Sequence, residues 1–268
     1  AGNINEVTGD TSAKIIAETL SLSALNGIGN LSALDINVQT LTFANSATGG
    51  IALNLLGDAA NGLLANHPVT VTLADASSSG NITLTATTGS GLKTYTSLDT
   101  NSGSISATAT QGNIAIGTIT SGTGGTANTV SVTATAGSIN EVASTDAAKI
   151  IGSSLTLSAS TGIGDSGTLD VNVTTVTSAT SATGGITMNL LGDAVVANGL
   201  AADHAVTVTS ADASGSGNIT LTATTGSGLK TYTSLDTNSG SISATATQGN
   251  IALGPITSGT GGTANAVK

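Results

Sequence analysis

Alternation of hydrophobic and polar positions is the strongest pattern along this chain. In Val69–Leu73, Ile82–Thr87 and Ile105–Thr110 every second side chain is apolar. A period of two predicts β-strands that bury one face and expose the other to water. Clusters of Gly, Asn, Ser and Asp separate these segments and favour turns. The pattern predicts an all-β chain, with short helical turns considered only for Lys14–Leu22 and for the Ala59–Ala65 region.

The chain consists of two copies of one long unit. The opening segment Gly2–Val7 returns, with one substitution, as Gly137–Val142, and the second copy later gains two residues. Beyond that point Ser79–Asn128 matches Ser216–Asn265 at 48 of 50 positions. We therefore divide the chain into repeat unit 1 (residues 1–135) and repeat unit 2 (residues 136–268) of one continuous structure.

A shorter rhythm runs inside each unit. A glycine followed closely by isoleucine recurs at Ile4, Ile28, Ile51, Ile82, Ile105, Ile114 and Ile139. Apart from the long step from Ile51 to Ile82 and the short step from Ile105 to Ile114, the spacing is nearly constant. It predicts a right-handed parallel β-helix (β-solenoid) with about 23–25 residues and three short strands per coil. At about 4.8 Å per coil, the chain would form roughly 11 or 12 coils and a rod about 55 Å long.

Composition supports a narrow solenoid over a globular domain. The chain has 36 glycines, three aromatic residues (Phe43, Tyr95 and Tyr232) and no Cys or Trp. Tandem immunoglobulin-like sandwiches, the rival architecture, need a bulky and often aromatic core. Only 7% of residues are charged, yet the mean hydropathy of +0.30 argues against disorder.

Charge and hydropathy also limit the partners. A net charge of −10 disfavours nucleic acid. The sequence contains no run of about 18 apolar residues, so it predicts no membrane-spanning helix. The first residues do not have the pattern of a signal peptide. The expectation is a protein with neither nucleic-acid binding nor membrane insertion.

The candidate chemical residues are few. His67 and His204 are expected to be solvated loop histidines, because one histidine per unit cannot assemble a metal-ligand set. Asp58, Asp75 and Asp99 are expected mainly in turns, although they would form an ion site if they converged in space.

No catalytic, cofactor-binding or metal-binding residue is assigned, and the chain is not expected to be an enzyme. Parallel β-helices include polysaccharide-cleaving enzymes, but those need paired carboxylates or basic residues that this sequence does not cluster.

Lys93 recurs as Lys230. Glu6 with Lys14, and Glu141 with Lys149, are spaced so that each pair could form a weak salt bridge at a coil bend.

Two stacked arrays were considered. Asparagines that follow glycine are expected to form a ladder of amide hydrogen bonds, at Asn3, Asn81, Asn113, Asn218 and Asn250. Thr83-Leu84-Thr85 and Thr108-Ala109-Thr110 would form an ice-binding threonine array if they lay in register. The long and short steps in the glycine–isoleucine rhythm argue against that register.

The repeats resemble those of filamentous-haemagglutinin-like bacterial exoproteins. The resemblance lies in Ala136–Glu141, Leu155–Ala159, Gly162–Gly164 and Leu169–Val173, and in their first-copy counterparts. It implies a right-handed parallel β-helix, export from a bacterium and a place in a surface adhesin or fibre.

The sequence thus predicts a structural or adhesive segment of a giant bacterial cell-surface fibre, with localisation outside the cell. Expected partners are further copies of itself and glycans or proteins on other cells. The alternative is a solenoid module that binds glycans or ice, and a groove with Tyr95 or Tyr232 beside carboxylates would favour glycans. Neither end carries a polar cap, so the chain is expected to belong to a longer array or to stack end to end.

Overall fold

The protein is an all-β solenoid, as the sequence predicts. The computed structural model describes residues 2–7, 11–143, 145, 147–262 and 264–268. Parallel strands stack in about ten turns, and the one helical segment in these ranges is the 3-10 turn Val196–Asn198. Lys14–Leu22 is not a helical turn, because Ile15–Ala24 forms a strand whose alternating side chains point into and out of the solenoid.

Twenty-five strands lie in the described part of the chain. They are β1 (Asn3–Ile4), β2 (Ile15–Ala24), β3 (Gly27–Ile28), β4 (Leu34–Ser46), β5 (Ile51–Leu56), β6 (Val69–Val71), β7 (Ala74–Ala76), β8 (Ile82–Ala86), β9 (Lys93–Thr100), β10 (Ile105–Ala109), β11 (Ile114–Ser121), β12 (Thr129–Ala134), β13 (Ser138–Glu141), β14 (Ile150–Ala159), β15 (Gly162–Ile163), β16 (Leu169–Ser181), β17 (Ile186–Leu190), β18 (Val206–Val208), β19 (Ala211–Ala213), β20 (Ile219–Ala223), β21 (Lys230–Tyr232), β22 (Leu235–Thr237), β23 (Ile242–Ala246), β24 (Ile251–Leu253) and β25 (Ile256–Ser258).

One ladder of paired residues follows the solenoid from end to end, and we call it the Ile4 ladder. Its members are Ile4, Ile28, Ile51, Ile82, Ile105, Val130, Leu155, Val176, Val208, Tyr232 and Leu253. At about 4.8 Å per coil the rod is about 48 Å long. The expected 11 or 12 coils are therefore too many, because part of the chain leaves the coils in loops.

Those loops account for the long step in the sequence rhythm. Residues 57–68 lie between β5 and β6, so Ile51 and Ile82 remain paired although they are far apart along the chain. Residues 191–205 form the corresponding loop of unit 2. The solenoid absorbs such insertions because a loop that points outward leaves the ladder register unchanged.

The core is a single column of aliphatic side chains. In the coil from Ile219, β20, β21 and β22 each place alternate residues inward, and residues such as Leu84, Ile116 and Val132 have no exposed surface. Stacked coils bring like residues together, which is why Val, Ile, Leu and Ala fill a core too narrow for many aromatic rings.

The long sequence unit is not a whole number of coils. Five coils above Ile4 the ladder reaches Val130, whereas the sequence equivalent of Ile4 is Ile139, further along the same coil. Ile139 belongs to another ladder, in which it pairs with Ile114 and Ile163. The short step between Ile105 and Ile114 is therefore the step from one ladder to the next within a coil.

One corner of the solenoid is built from glycines in contact. A Cβ on Gly103 would lie 2.0 Å from the carbonyl oxygen of Gly80, and a Cβ on Gly240 would lie 1.9 Å from that of Gly217. Both distances are far below a van der Waals contact, so the backbones of successive coils leave no room for a side chain here.

Asparagines tie successive coils together, but not as the expected amide ladder. Asn81 Oδ1 accepts a hydrogen bond from the Ser104 backbone N–H at 2.9 Å, and Asn113 Oδ1 accepts one from Ser138 at 3.0 Å. Asn218 repeats the contact with Ser241 at 2.8 Å. The ladder prediction is wrong because the asparagines precede strands on different ladders, so each side chain bonds to the next backbone instead.

Asn81→Ala is expected to lower the free energy of unfolding by about 1 kcal/mol, because it removes one hydrogen bond between coils. Chemical denaturation of the purified chain measures the change. Asn250→Ala is the control, since Asn250 lies on the last coil that the structure describes. Equal losses for the two variants would contradict the role assigned to Asn81.

Candidate functional site

Both histidines anchor the long loops rather than facing solvent. His67 is only 4% exposed. Its Nδ1 lies 2.9 Å from the Leu64 carbonyl oxygen and its Nε2 lies 3.2 Å from that of Val38. His204 makes the same two types of contact, and it is half-buried. The expectation of solvated histidines is wrong for His67, because the loop closes over its ring and the ring joins that loop to β4.

Two aspartate pairs form where the sequence suggested isolated turn residues. Asp75 of β7 pairs with Asp99 of β9 in adjacent coils, and Asp212 pairs with Asp236 in unit 2. Burial raises the pKa of Asp99, a hydrogen bond from Thr123 partly opposes that effect, and the charge of Asp75 raises the pKa by a smaller amount. Asp58 lies apart from this pair, in the loop after β5. Of the three aspartates considered, only Asp75 and Asp99 are paired in the register.

These pairs do not amount to a metal centre. Among the residues that the structure describes, no group of three or more His, Cys, Asp or Glu side chains is placed to hold a metal ion. Two stacked carboxylates without further ligands repel one another.

Asp99→Asn is expected to stabilise the protein at neutral pH, because it removes a partly buried charge and the repulsion between that charge and Asp75. A cross-strand pair contributes up to about 1 kcal/mol, so the Tm should rise by roughly 1–4 °C. Because folding raises the pKa of Asp99, its destabilising effect is present above the ordinary carboxyl range and disappears as the pH falls.

Thermal unfolding at pH 7 and at pH 3.5 tests this. The gain from Asp99→Asn should be present at pH 7 and absent at the acidic pH. The control is Asp58→Asn, an exposed loop aspartate. A gain that is the same at both pH values would contradict the charge argument.

The most unusual polar groups are inside the core. Lys93 is fully buried in the ladder between Val69 and Ile114. Its Nζ donates to the carbonyl oxygens of Gly89 at 2.8 Å and Gly91 at 2.6 Å. Burial lowers the pKa of Lys93. Sequence reasoning gave this lysine no place in the core, although it stands in phase with the inward residues of its strand.

Lys230 occupies the same position in unit 2, with longer bonds. Its Nζ lies 3.2 Å from the Gly226 carbonyl oxygen and 3.1 Å from that of Gly228. Burial lowers the pKa of Lys230, and the charges of Asp203 and Asp193 partly offset that effect. Each lysine therefore closes a turn of its coil from the inside.

Each tyrosine lies two residues after such a lysine and points into the same core. Tyr95 and Tyr232 have no exposed surface, and neither hydroxyl has a hydrogen-bond partner among the described residues. Burial raises the pKa of Tyr95, and it raises that of Tyr232 to about 12. The two rings are unavailable for stacking on a sugar, so the feature expected to favour glycan binding is not present at either tyrosine.

At the bends where salt bridges were predicted, Glu6 and Lys149 form hydrogen bonds with hydroxyl groups. Glu6 Oε1 accepts a hydrogen bond from Ser32 Oγ at 2.9 Å. Lys149 Nζ donates to Thr145 Oγ1 at 2.6 Å. The salt bridges predicted at these bends remain predictions.

Hydroxyl side chains form a regular outer surface that we call the hydroxyl face. Two outward positions on each of five successive coils carry Thr or Ser: Thr83, Thr85, Ser106, Thr108, Ser131, Thr133, Thr156, Ser158, Ser178 and Thr180. Neighbouring hydroxyls are about 4.8 Å apart along the rod and about 6.6 Å apart along a strand. The argument that irregular steps spoil the threonine register is wrong, since the loop after β5 and the change of ladder absorb those steps.

No helix in the described ranges is long and apolar enough to cross a membrane. Comparison with models of protein families, with curated proteins and with solved structures finds no match to this chain.

Proposed function

We propose that this chain is a structural and adhesive segment of a giant bacterial cell-surface fibre. The observation that carries the proposal is the Ile4 ladder, which runs through all ten turns and crosses from unit 1 into unit 2 at Val130 and Leu155. In such a solenoid each coil contacts only its neighbours, so added units lengthen the rod without a new design. The function is mechanical rather than catalytic.

The surface chemistry fits an extracellular rod. A net charge of −10 keeps neighbouring rods apart, and a chain without cysteine does not depend on the redox state of its surroundings. The proposed partners are further copies of the chain and surface glycans or proteins of other cells. No nucleic-acid partner is proposed.

Immunogold electron microscopy of bacteria that produce the protein tests this function. Antibodies raised against the folded chain should label thin fibres outside the cell. Cells in which the gene is deleted should lose the label and adhere less. Label confined to the cytoplasm would contradict the proposal.

The hydroxyl face supports a second candidate, a surface that orders water and binds ice. Its ten hydroxyl side chains lie in two ranks and in register over five coils. An uncharged and repetitive array of this kind matches a crystalline ligand better than a single sugar.

Thermal hysteresis measured on the purified chain tests the second candidate. An ice-binding face predicts measurable hysteresis that Thr133→Lys abolishes, since Thr133 lies on the third of the five coils of the face. Thr94→Lys is the control, because Thr94 is an outward residue on another ladder. Zero hysteresis in the unmodified chain would reject this candidate and leave the fibre proposal standing.

A further inference from the structure

The loop between β17 and β18 reaches back across the boundary between the two repeat units, and we call it the strap (residues 191–205). Near its tip, Asn198 Nδ2 donates to the Ser121 carbonyl oxygen at 2.7 Å. The Asn198 carbonyl oxygen accepts a hydrogen bond from the Ala127 N–H at 3.1 Å. The side-chain bond joins residues 77 apart along the chain, whereas the asparagine bonds described above join residues 23 or 25 apart.

The strap passes over two coils of the solenoid. The turn that receives it (the receiving turn, residues 121–127) comes just before Val130 of the Ile4 ladder, and the strap comes just before Val208. The coils that carry Leu155 and Val176 lie between these positions. Three coil steps correspond to about 14 Å along the rod. The strap therefore ties a coil of unit 2 to a coil that begins in unit 1.

The receiving turn is held in place by its own hydrogen bonds to the coil below. Ser121 has no exposed surface, and its Oγ donates to the Gly103 carbonyl oxygen at 2.9 Å. The Gly122 N–H donates to the Thr100 carbonyl oxygen at 2.8 Å. The turn thus offers Asn198 a hydrogen-bond acceptor and a donor in fixed positions.

The base of the strap is fastened as well. The Asp203 N–H donates to the Gly192 carbonyl oxygen at 2.8 Å and closes the loop. The Asp193 carbonyl oxygen accepts a hydrogen bond from Asn172 Nδ2 at 3.1 Å, which joins the base to β16. Leu200, within the strap, is only 7% exposed. Because the loop is bonded at its base and at its tip, it transmits tension between the two coils that it joins.

Backbone contact at the tip depends on glycine. Gly199 has a φ of +71°, and a Cβ at this position would lie 2.5 Å from the Gly125 carbonyl oxygen. That distance is far below a van der Waals contact, so an added methyl group would separate the strap from the receiving turn.

We infer that the strap locks the joint between the two repeat units against separation along the rod. In a solenoid each coil contacts only its neighbours, so coils can separate one at a time. The strap bridges the three interfaces between the coils of Val130, Leu155, Val176 and Val208. These interfaces therefore open only after Asn198 leaves the receiving turn. This inference deepens the mechanical function proposed above and rests on that proposal only for its biological purpose.

Hydrogen exchange of the purified chain, followed by mass spectrometry, tests the inference. In Asn198→Ala the amides of β14 and β16 should exchange about fivefold faster, the effect of one hydrogen bond on the opening equilibrium. The amides of β5 and β8 lie outside the span of the strap and should keep their rates. Gly199→Ala should accelerate exchange in β14 and β16 at least as much, because it displaces both bonds at the tip.

Asn81→Ala is the matched control, because it also removes one asparagine hydrogen bond between coils, but between neighbouring coils of unit 1. It should accelerate exchange in β8 and β10 and leave β14 and β16 unchanged. Faster exchange confined to residues 191–205 in both strap variants, or equal acceleration of every strand, would overturn the inference. The exchange rates do not depend on cellular location, so failure of the strap and failure of the fibre proposal are distinguishable.

Discussion

Replacing Gly103 with alanine should lower the free energy of unfolding by about 3 kcal/mol, the upper part of the range for overpacking a close contact. The new Cβ would lie 2.0 Å from the Gly80 carbonyl oxygen, and neither backbone can move without breaking the ladders on both sides. A loss of this size corresponds to a fall in Tm of roughly 6–12 °C. Calorimetry of the purified variant measures it.

Gly240→Ala is the matched control for this prediction. Gly240 is the unit 2 equivalent of Gly103 and is equally crowded by Gly217. Above its strand, however, the described part of the chain places only residues 264–268, among which Val267 pairs with Ile242. The final coil can shift outward, so this variant should lose less than half as much. Equal losses at the two sites would show that stacked coils do not hold Gly103 in place.

The stability of the protein is expected to be highest near pH 10, rather than near neutrality. Folding lowers the pKa values of Lys93 and Lys230 from 10.5, so the unfolded state binds more protons below that pH. Stability therefore rises as the pH increases toward 10.5. Folding raises the pKa values of Tyr95 and Tyr232 from 10.0, so the unfolded state loses these protons first. Stability then falls as the pH increases above 10.

Denaturation midpoints between pH 7 and pH 12 test both halves of this curve. The Tyr95→Phe and Tyr232→Phe double variant should remove the alkaline fall. It should also gain about 1–2 kcal/mol per site at pH 7, because each buried hydroxyl lacks a partner. The Lys93→Met and Lys230→Met double variant should remove the rise between pH 7 and pH 10. A curve that is flat in the unmodified chain would show that these four groups are hydrated in solution.

Alternation and repetition were sufficient to predict the fold. The apolar residues of Val69–Leu73 and Ile82–Thr87 that the period of two places inward are the buried ones, as at Val69, Val71, Ile82 and Leu84. A narrow core that repeats every coil leaves a sequence little freedom, which is why composition alone also disfavoured a sandwich.

The polar interior could not be predicted by residue type. Lys93 and Tyr95 are in phase with the inward positions of β9, and that phase was the available signal, but a lysine is normally assigned to the surface. The loop over His67 depends on which carbonyl oxygens the 57–68 segment brings near the ring, and no local pattern gives such a contact. Register was likewise misjudged for the hydroxyl face, because spacing along the chain does not distinguish an outward loop from a slip between coils.

The mismatch between the long repeat and the coil has a consequence for any extended array of these units. Each added copy advances five coils along the axis. It also turns by roughly a third of a revolution, since Ile139 lies beyond Val130 by about a third of a coil. Equivalent loops, such as those containing His67 and His204, therefore follow a screw path around the rod. Within about three copies every side of the rod presents the same loop.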